Sequence, residues 1–266
     1  MFAKIIRYLH KIGSMVKISA VIITYNEERN IVRCLESLAG IADEIVVVDS
    51  FSTDATADLC KPFNARVLQH AFEGYMQQKK WACAQADFDV ILSLDADEAL
   101  SPELRNSILK VKNNWQADGY VFSRLTDYKG KWIRHSGWYP DRKLRLWDRR
   151  KGDWSGINLH ESVKMAEDSK VEKLSGDLQH YSYYSTQQHL NQINKFTEIA
   201  AIEGVAKGKN TSMFLIIVKS IWKFKRDYFF KLGFLDGSAG FVVCYLSAHT
   251  TFIKYLKMRE LKKVGK

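Results

Sequence analysis

At 266 residues, with 46% hydrophobic and 12% aromatic residues but only 3 Pro and 15 Gly, the chain holds enough core-forming material for one large domain with an appendage. A disordered, collagenous or peptide-sized protein is excluded, and four scattered cysteines (Cys34, Cys60, Cys83 and Cys244) with no CxxC pair speak for reduced thiols in a cytoplasmic protein rather than a zinc site or disulfide scaffold. The net charge of +10 is confined to the last 60 residues, where 13 Lys/Arg face 3 acids among many aromatics; this fits an anionic membrane surface and not nucleic acid.

Residues 1–14, MFAKIIRYLHKIGS, carry Lys4, Arg7 and Lys11 and no acid, with Phe2, Ile5, Ile6 and Leu9 at near-helical spacing. They read as a short basic amphipathic segment (1–15), either a surface anchor or a plain extension; the run is too short to span a bilayer and lacks the pattern of a secretory signal. From Ile18 onward β-branched runs alternate with helices. ISAVIIT, EIVVVDS, ARVLQH and DVILSLD are expected strands; EERNIVRCLESLAG, residues 53–61 and QQKKWACAQA are expected helices. Continuous apolar strands separated by helices predict an α/β, Rossmann-like, mostly parallel sheet with helices on both faces.

Beyond Gly119 a strand is expected at GYVFSRL, then an aromatic and basic loop over 129–147, a strand at KLRLWD, and a capped helix over YSTQQHLNQINKFTEIAAIEGVAKG. The tail, 207–266, is set apart from a catalytic domain at 16–206. In it Phe214, Ile217, Ile221, Phe224 and Tyr228 share one helical face, Lys219, Lys223 and Arg226 lie off that face, and a second apolar helix follows Gly240. The longest uncharged run, 237–253, contains Ser, His, Thr and Gly and does not read as a membrane span.

Ligands of such sheets bind beyond the carboxyl ends of the strands, so residues 24–27, 49–54 and 95–98 are expected to carry the chemistry. Asp95 and Asp97, with only small Ala96 between them, can approach one hard divalent cation, Mg2+ or Mn2+, which can bridge to a diphosphate. The alternative is that these acids merely cap the helix after Ser101. Thr24, Tyr25, Asn26 and Glu27 offer an aromatic face, amide and carboxylate groups and a helix start suited to a nucleoside, or else a simple cap. Asp49 at the tip of EIVVV has the same two readings. No GxGxxG or GxxxxGK[ST] occurs, so a dinucleotide site and a P-loop both lack their phosphate cradle.

VIITYNEERNI, IVVVDSFSTDAT, LSLDADE and GINLHES, in this order and spacing, resemble the family 2 glycosyltransferases, inverting enzymes of the GT-A fold that use nucleotide sugars. The resemblance covers about residues 18–168. It implies that Thr24, Tyr25, Glu27 and Asp49, with Asn26 beside them, line a uridine pocket. It further implies that Asp95 and Ala96 lie near the ribose, that Asp97 binds the metal, and that Lys79 or Lys80 approaches the phosphates. The catalytic base, an Asp in an acidic pair in many members, corresponds here to His160-Glu161, with Glu161 the proton acceptor; an ordinary surface pair is the alternative.

GWYPDRKLRLWDRR and the tail LGFLDGSAGFVVCYLSAHTTFIKYLK resemble bacterial transferases that add glucose to the inner-core heptose of lipopolysaccharide or lipooligosaccharide. On that resemblance the donor is a UDP-sugar, the acceptor a lipid-anchored oligosaccharide, and the enzyme peripheral on the inner face of the cytoplasmic membrane. Arg142, Lys143, Arg145, Arg149 and Arg150 are candidates for acidic acceptor groups, although alternate residues of KLRLWDR also suit the wet face of an antiparallel strand. A polyprenyl-phosphate sugar transferase is the nearest alternative. A nucleotidyltransferase or a non-catalytic membrane adaptor is further away.

Overall fold

A computed structural model of the chain describes residues 15–156, 161–208 and 212–264. The basic segment at 1–14 and His160 lie outside the described residues. By contacts the chain divides into two compact units: one runs up to Arg124 and resumes over Arg142–His180, the other comprises Leu125–Asp141 and Tyr181–Lys266.

In the first unit β1 (Ile18–Thr24) has parallel partners on both sides, β2 (Glu44–Asp49) and β4 (Val90–Asp95), with β3 (Arg66–Gln69) beyond β2. Successive side chains of a strand point to opposite faces, and here both faces are buried. Ile18, Ala20 and Ile22 of β1, with Leu92 and Leu94, join Cys34 and Leu35 of α1 (Ile31–Ser37) and Leu104 and Ile108 of α4 (Pro102–Asn113). Val21, Val46, Val48 and Ile91 join Ala82 and Cys83 of α3 (Tyr75–Ala84) on the other side. A short α2 (Thr56–Cys60) follows β2. The register sets Thr24 opposite Asp49 and Ile23 opposite Asp95, so three polar strand ends meet along one edge.

Past β4 the sheet becomes antiparallel. Its order is β3-β2-β1-β4-β8-β6-β11-β5, with β8 (Asp141–Asp148), β6 (Gly119–Tyr128), β11 (Val171–Tyr183), edge strand β5 (Glu98–Leu100) and β7 (Lys131–Ile133) on β6. A separate hairpin pairs β9 (Gly152–Ser155) with β10 (Ser162–Met165). The parallel expectation therefore holds for β1 to β4; the segment read as a loop over 129–147 contains β7, while the strand expected at KLRLWD is β8, which starts two residues earlier. The polar composition of VEKLSGDLQHYSY in β11 leaves no continuous apolar run to read, because an antiparallel strand can leave one face in water.

The second unit contains three long helices. α5 (Thr186–Ala206) opens on a capping box in which Ser185 and Gln188 satisfy each other's backbone N–H groups. α6 (Met213–Lys225) runs into a π-helical turn at Arg226–Phe230, and a 3-10 turn at Gly233–Asp236 leads into α7 (Gly237–Val264). Ala201, Ile216, Tyr255 and Met258 form a small core among the three. Much of the apolar face of α7 is thus consumed by packing. Phe214, Ile217 and Ile221 of α6 remain exposed, whereas Phe224 and Tyr228 stack on each other, half-buried. α5 groups here with the tail, while the boundary expected from the sequence fell after it, at 206.

Candidate active site

The loops after β1 and β2 are stitched together. The Asn26 N–H donates to Ser52 Oγ (2.8 Å), the Glu27 N–H to Thr56 Oγ1 (2.8 Å) and the Glu28 N–H to Asp54 Oδ2 (3.1 Å), while Asn26 Oδ1 accepts from the Thr53 N–H (2.8 Å). Asn26 manages this at φ 53°, in the left-handed region that Asn tolerates better than most residues. These bonds occupy the segment that the sequence reads as the first turn of a helix, which is why α1 starts only at Ile31. Asp49 is buried; its carboxylate accepts the N–H of Ser52 (2.9 Å) and the Ser52 hydroxyl. The Thr24 hydroxyl is buried with no hydrogen-bond partner among the described residues. A buried, unanswered hydroxyl is costly unless a ligand meets it. Beside it Tyr25 and Phe51 present their rings to solvent, and Phe51, inside the 49–54 stretch but given no role from the sequence, does so at φ 61°. Its sequence signal is a large aromatic inside a Ser/Thr/Asp loop.

Glu27 is half-buried in this edge. Burial pushes its carboxyl up to about 7, against the Asn30 amide that donates to it, and the negative charges of Asp97 and Asp54 push the same way as burial. Since the folded state then holds a proton that the unfolded chain has released above about 4.5, stability should fall as pH rises from there to about 7 and level off above. Glu27→Gln should flatten that slope and gain at most about 3 kcal/mol at pH 8. Urea unfolding of both proteins at pH 5 and pH 8 reads the difference.

The second half of the site is a charged cluster beyond β4. Asp95 is held by Lys79 Nζ (2.9 Å) and Arg145 (2.9 Å). Buried Glu98 accepts from Arg145 (2.8 Å), Arg124 (3.2 Å) and the Asp95 N–H (3.1 Å). Asp97 lies 3.1 Å from His180 Nε2, which β11 delivers because His180 stands opposite Glu98 in the antiparallel register. Glu161 comes to 3.5 Å from Lys79. Burial pushes Asp95 up, but Lys79 and Arg145 overrule it and hold the carboxyl well below the usual range; for Asp97 burial is likewise overruled, mainly by His180. Trp154 floors the cluster, with Lys79 Nζ 4.9 Å and the Arg145 guanidinium 5.8 Å from its ring centre.

The reading of these acids as helix caps fails: Ser101 Oγ accepts the Leu104 N–H and Pro102 opens α4, so the helix is capped without them. Of the two lysines, Lys79 joins the cluster, whereas Lys80 is exposed and paired with Asp153 (2.6 Å). Ala96 is buried in the core on the α1 side of the sheet. Arg145 corrects the expectation of an acceptor contact: it is buried, and its guanidinium serves Asp95 and Glu98. Arg149 and Arg150 are also engaged, the first on the carbonyls of Cys83 and Ala86 at the end of α3 and the second on Asp148. Arg142 is exposed and Lys143 half-buried; continuing the register Leu92 to Leu146 sets both near the edge where β4 ends. Glu98 lies in the 95–98 stretch expected to carry the chemistry but is given no role of its own; His180 is not among the sequence candidates, and nothing in the spacing of a lone histidine in a polar strand singles it out.

Removing Arg145 tests whether it is structural. Arg145→Leu leaves buried Glu98 and half-buried Asp95 with too little positive charge, and breaking such a buried pair costs about 3–5 kcal/mol. Arg145→Lys should lose less. Denaturant midpoints compare the three proteins.

Four carboxylates (Asp95, Asp97, Glu98, Glu161) face Lys79, Arg124 and Arg145, with His180 beside Asp97, so the cluster has no excess of positive charge with which to meet a diphosphate. Among the described residues no group of three or more His, Cys, Asp or Glu is arranged to hold a metal. The donor set nonetheless fits a divalent cation held in part by its ligand: Asp97 offers a carboxylate oxygen and His180 an imidazole nitrogen, and hard cations take further oxygens from phosphate and water.

The polar strand ends and the charged cluster beside them thus lie along one edge of an α/β sheet. The description "Glycosyl transferase family 2" matches residues 19–165, and the chain belongs to that family. Its fold is of the α/β class, and its activity is that of a glycosyltransferase. It is 34% identical over 257 residues to an uncharacterized glycosyltransferase of Rickettsia typhi, covering 93% of this chain and 88% of that one. It is 29% identical over 261 residues to the lipopolysaccharide core biosynthesis glycosyltransferase LpsC of Rhizobium meliloti, covering 91% of this chain and 94% of that protein. Among solved structures, glucosyl-3-phosphoglycerate synthase from Mycobacterium tuberculosis in complex with Mn2+ and UDP-glucose aligns with 43% of this chain and 44% of its own, at 22% identity and a TM-score of 0.35.

Proposed function

We propose that this glycosyltransferase moves a sugar, glucose by preference, from a UDP-sugar to an inner-core heptose of lipopolysaccharide, inverting the anomeric centre in a single displacement. The observation that carries the reading is the juxtaposition of Glu161, Lys79, Asp95, Asp97 and His180 beside the orphaned Thr24 hydroxyl. Tyr25 and Phe51 offer faces for the uracil ring, Thr24 and Asp49 groups for its edge, and Asp95 a carboxylate near the ribose. Asp97 and His180 would hold the divalent cation, which when bound neutralises charge building on the leaving diphosphate. Glu161 takes the proton from the attacking hydroxyl, and Lys79 holds Glu161 and Asp95 in place. Arg142 and Lys143, near the edge where β4 ends, would meet acidic groups of the acceptor. The relatedness to LpsC supports a lipopolysaccharide-core acceptor.

A lipid-anchored acceptor implies work at the inner face of the cytoplasmic membrane, as a peripheral protein. Among the described residues no single helix is long and apolar enough to cross a membrane; Met213–Phe230 and Gly233–Lys263, bent by 71°, pass that test only together. A panel of UDP-sugars, assayed for metal-dependent release of UDP with a heptose-containing lipid or a polyprenyl phosphate, tests the reading. Release with UDP-glucose and heptose alone is expected; turnover only with polyprenyl phosphate would replace it.

A further inference from the structure

We infer that the turn between α6 and α7, residues 226–241, inserts its apolar side chains into an anionic lipid leaflet. The inference deepens the membrane part of the proposed function and is independent of the transfer reaction.

A helix–helix turn in water buries apolar groups and exposes polar ones. This one does the reverse. Phe229, Phe230 and Leu235 are 54%, 71% and 56% exposed, with Leu232 and Phe234 also exposed, while Asp227 and Asp236 are 1% and 5% exposed. Both carboxylates are answered within the same unit. Asp227 pairs with Lys223 and with Arg226 Nε (2.9 Å), and Asp236 accepts the backbone N–H groups of Arg134 and His135 and bonds the His135 ring (2.9 Å). Polar groups satisfied internally are what a segment entering lipid requires.

The turn is also tight enough to present these side chains outward. A Cβ on Gly240 would lie 1.9 Å from the Gly233 carbonyl oxygen, and one on Gly233 would lie 2.5 Å from Cys244 Sγ, so only glycine permits the approach. The exposed surface continues through Ile221, Trp222, Phe241 and Tyr245, aromatic types suited to the bilayer interface.

Charge selects the occupant. Between Lys219 and Phe241 five basic residues stand against two acids, Asp227 and Asp236, both buried, while Lys225 and Lys231 are exposed. A second copy of the chain would bring two sets of like charge together, which is unfavourable, whereas an anionic leaflet complements them.

The four native cysteines are buried, so Phe230→Cys in the full chain can be labelled selectively with an environment-sensitive fluorophore. With vesicles of phosphatidylethanolamine and phosphatidylglycerol, nitroxides on the lipid acyl chains should quench that label and leave one at Glu260→Cys, toward the far end of α7, bright. Flotation with the same vesicles should fall by about tenfold or more for Phe230→Ser, and further when Leu235→Ser is added. An unquenched label at 230, or a double variant that floats like wild type, overturns the inference. So does a dimer that the double variant dissociates with no vesicle binding, which would assign the face to a second copy. Transfer to a soluble, delipidated heptose acceptor should be unchanged in the double variant. Quenching at 230 without transfer from any donor would sink the proposed reaction and leave the insertion standing.

Discussion

Replacing Asp97 with Ala is expected to abolish Mn2+-dependent binding of UDP and to lower sugar transfer by about 1,000-fold, the equivalent of several kcal/mol of lost charge stabilisation. Asp97 sits in the turn between β4 and β5 and its recorded ion pair is with His180, so its removal takes nothing from either apolar core. Thermal unfolding should therefore change little, unlike that of Arg145→Leu. His180→Phe should weaken the same metal-dependent binding, because two donors 3.1 Å apart can share one cation and a phenyl ring supplies neither charge nor lone pair. Calorimetric titration of UDP with Mn2+ and with excess chelator separates this from a general loss of nucleotide binding. Wild-type transfer by the Asp97→Ala protein, or by wild type in excess chelator, would remove the metal from the reading.

The residues that were legible in the sequence share one property: they follow strands with both faces buried. Such strands are continuous apolar runs, their ends are easily marked, and a parallel register aligns those ends, so Thr24, Asp49, Asp95 and Asp97 could be set on one edge from the chain alone. The residues that escaped depend on pairings with no local signature. His180 reaches Asp97 because β11 runs antiparallel to β5 across 82 residues of sequence, and a polar strand with one wet face offers no pattern to fix its register. Arg145 alternates with its neighbours as a solvated arginine would; only the structure reveals Glu98, buried, and Asp95, half-buried, on its side of the strand. Lys79 and Lys80 are adjacent on α3, where small and polar residues blur the buried face, so their division between cluster and surface could not be read. On the tail, the exposed face of α6 was visible in its spacing, but the turn that follows was not, because the exposure of Phe229 and Phe230 depends on close glycine contacts between Gly233 and Gly240.

Glu161→Gln should lower transfer by about 100-fold to 10,000-fold while leaving donor binding intact, the range lost when a positioned proton acceptor is removed. The amide keeps the size and shape of the carboxylate but cannot take the proton of the acceptor hydroxyl. The surroundings of Glu161 explain why the fold should tolerate the change. Its recorded partner, Lys79 at 3.5 Å, remains paired with Asp95 at 2.9 Å, so no charge is left stranded in the protein. That contrast with Arg145, whose loss leaves two carboxylates short of a partner, lets the two variants separate chemistry from stability. The kinetic signature is a fall in kcat with an unchanged affinity for UDP and an unchanged metal requirement, since an interaction made in the transition state has been lost and those of the ground state have not. Lys79→Met should differ: it frees Glu161 from its ion pair but leaves Asp95 to Arg145 alone, so donor binding and turnover should fall together. Near wild-type kcat in Glu161→Gln would place the base elsewhere in the chain, while a fall in donor affinity equal to the fall in kcat would make Glu161 a nucleotide-site residue acting through Lys79.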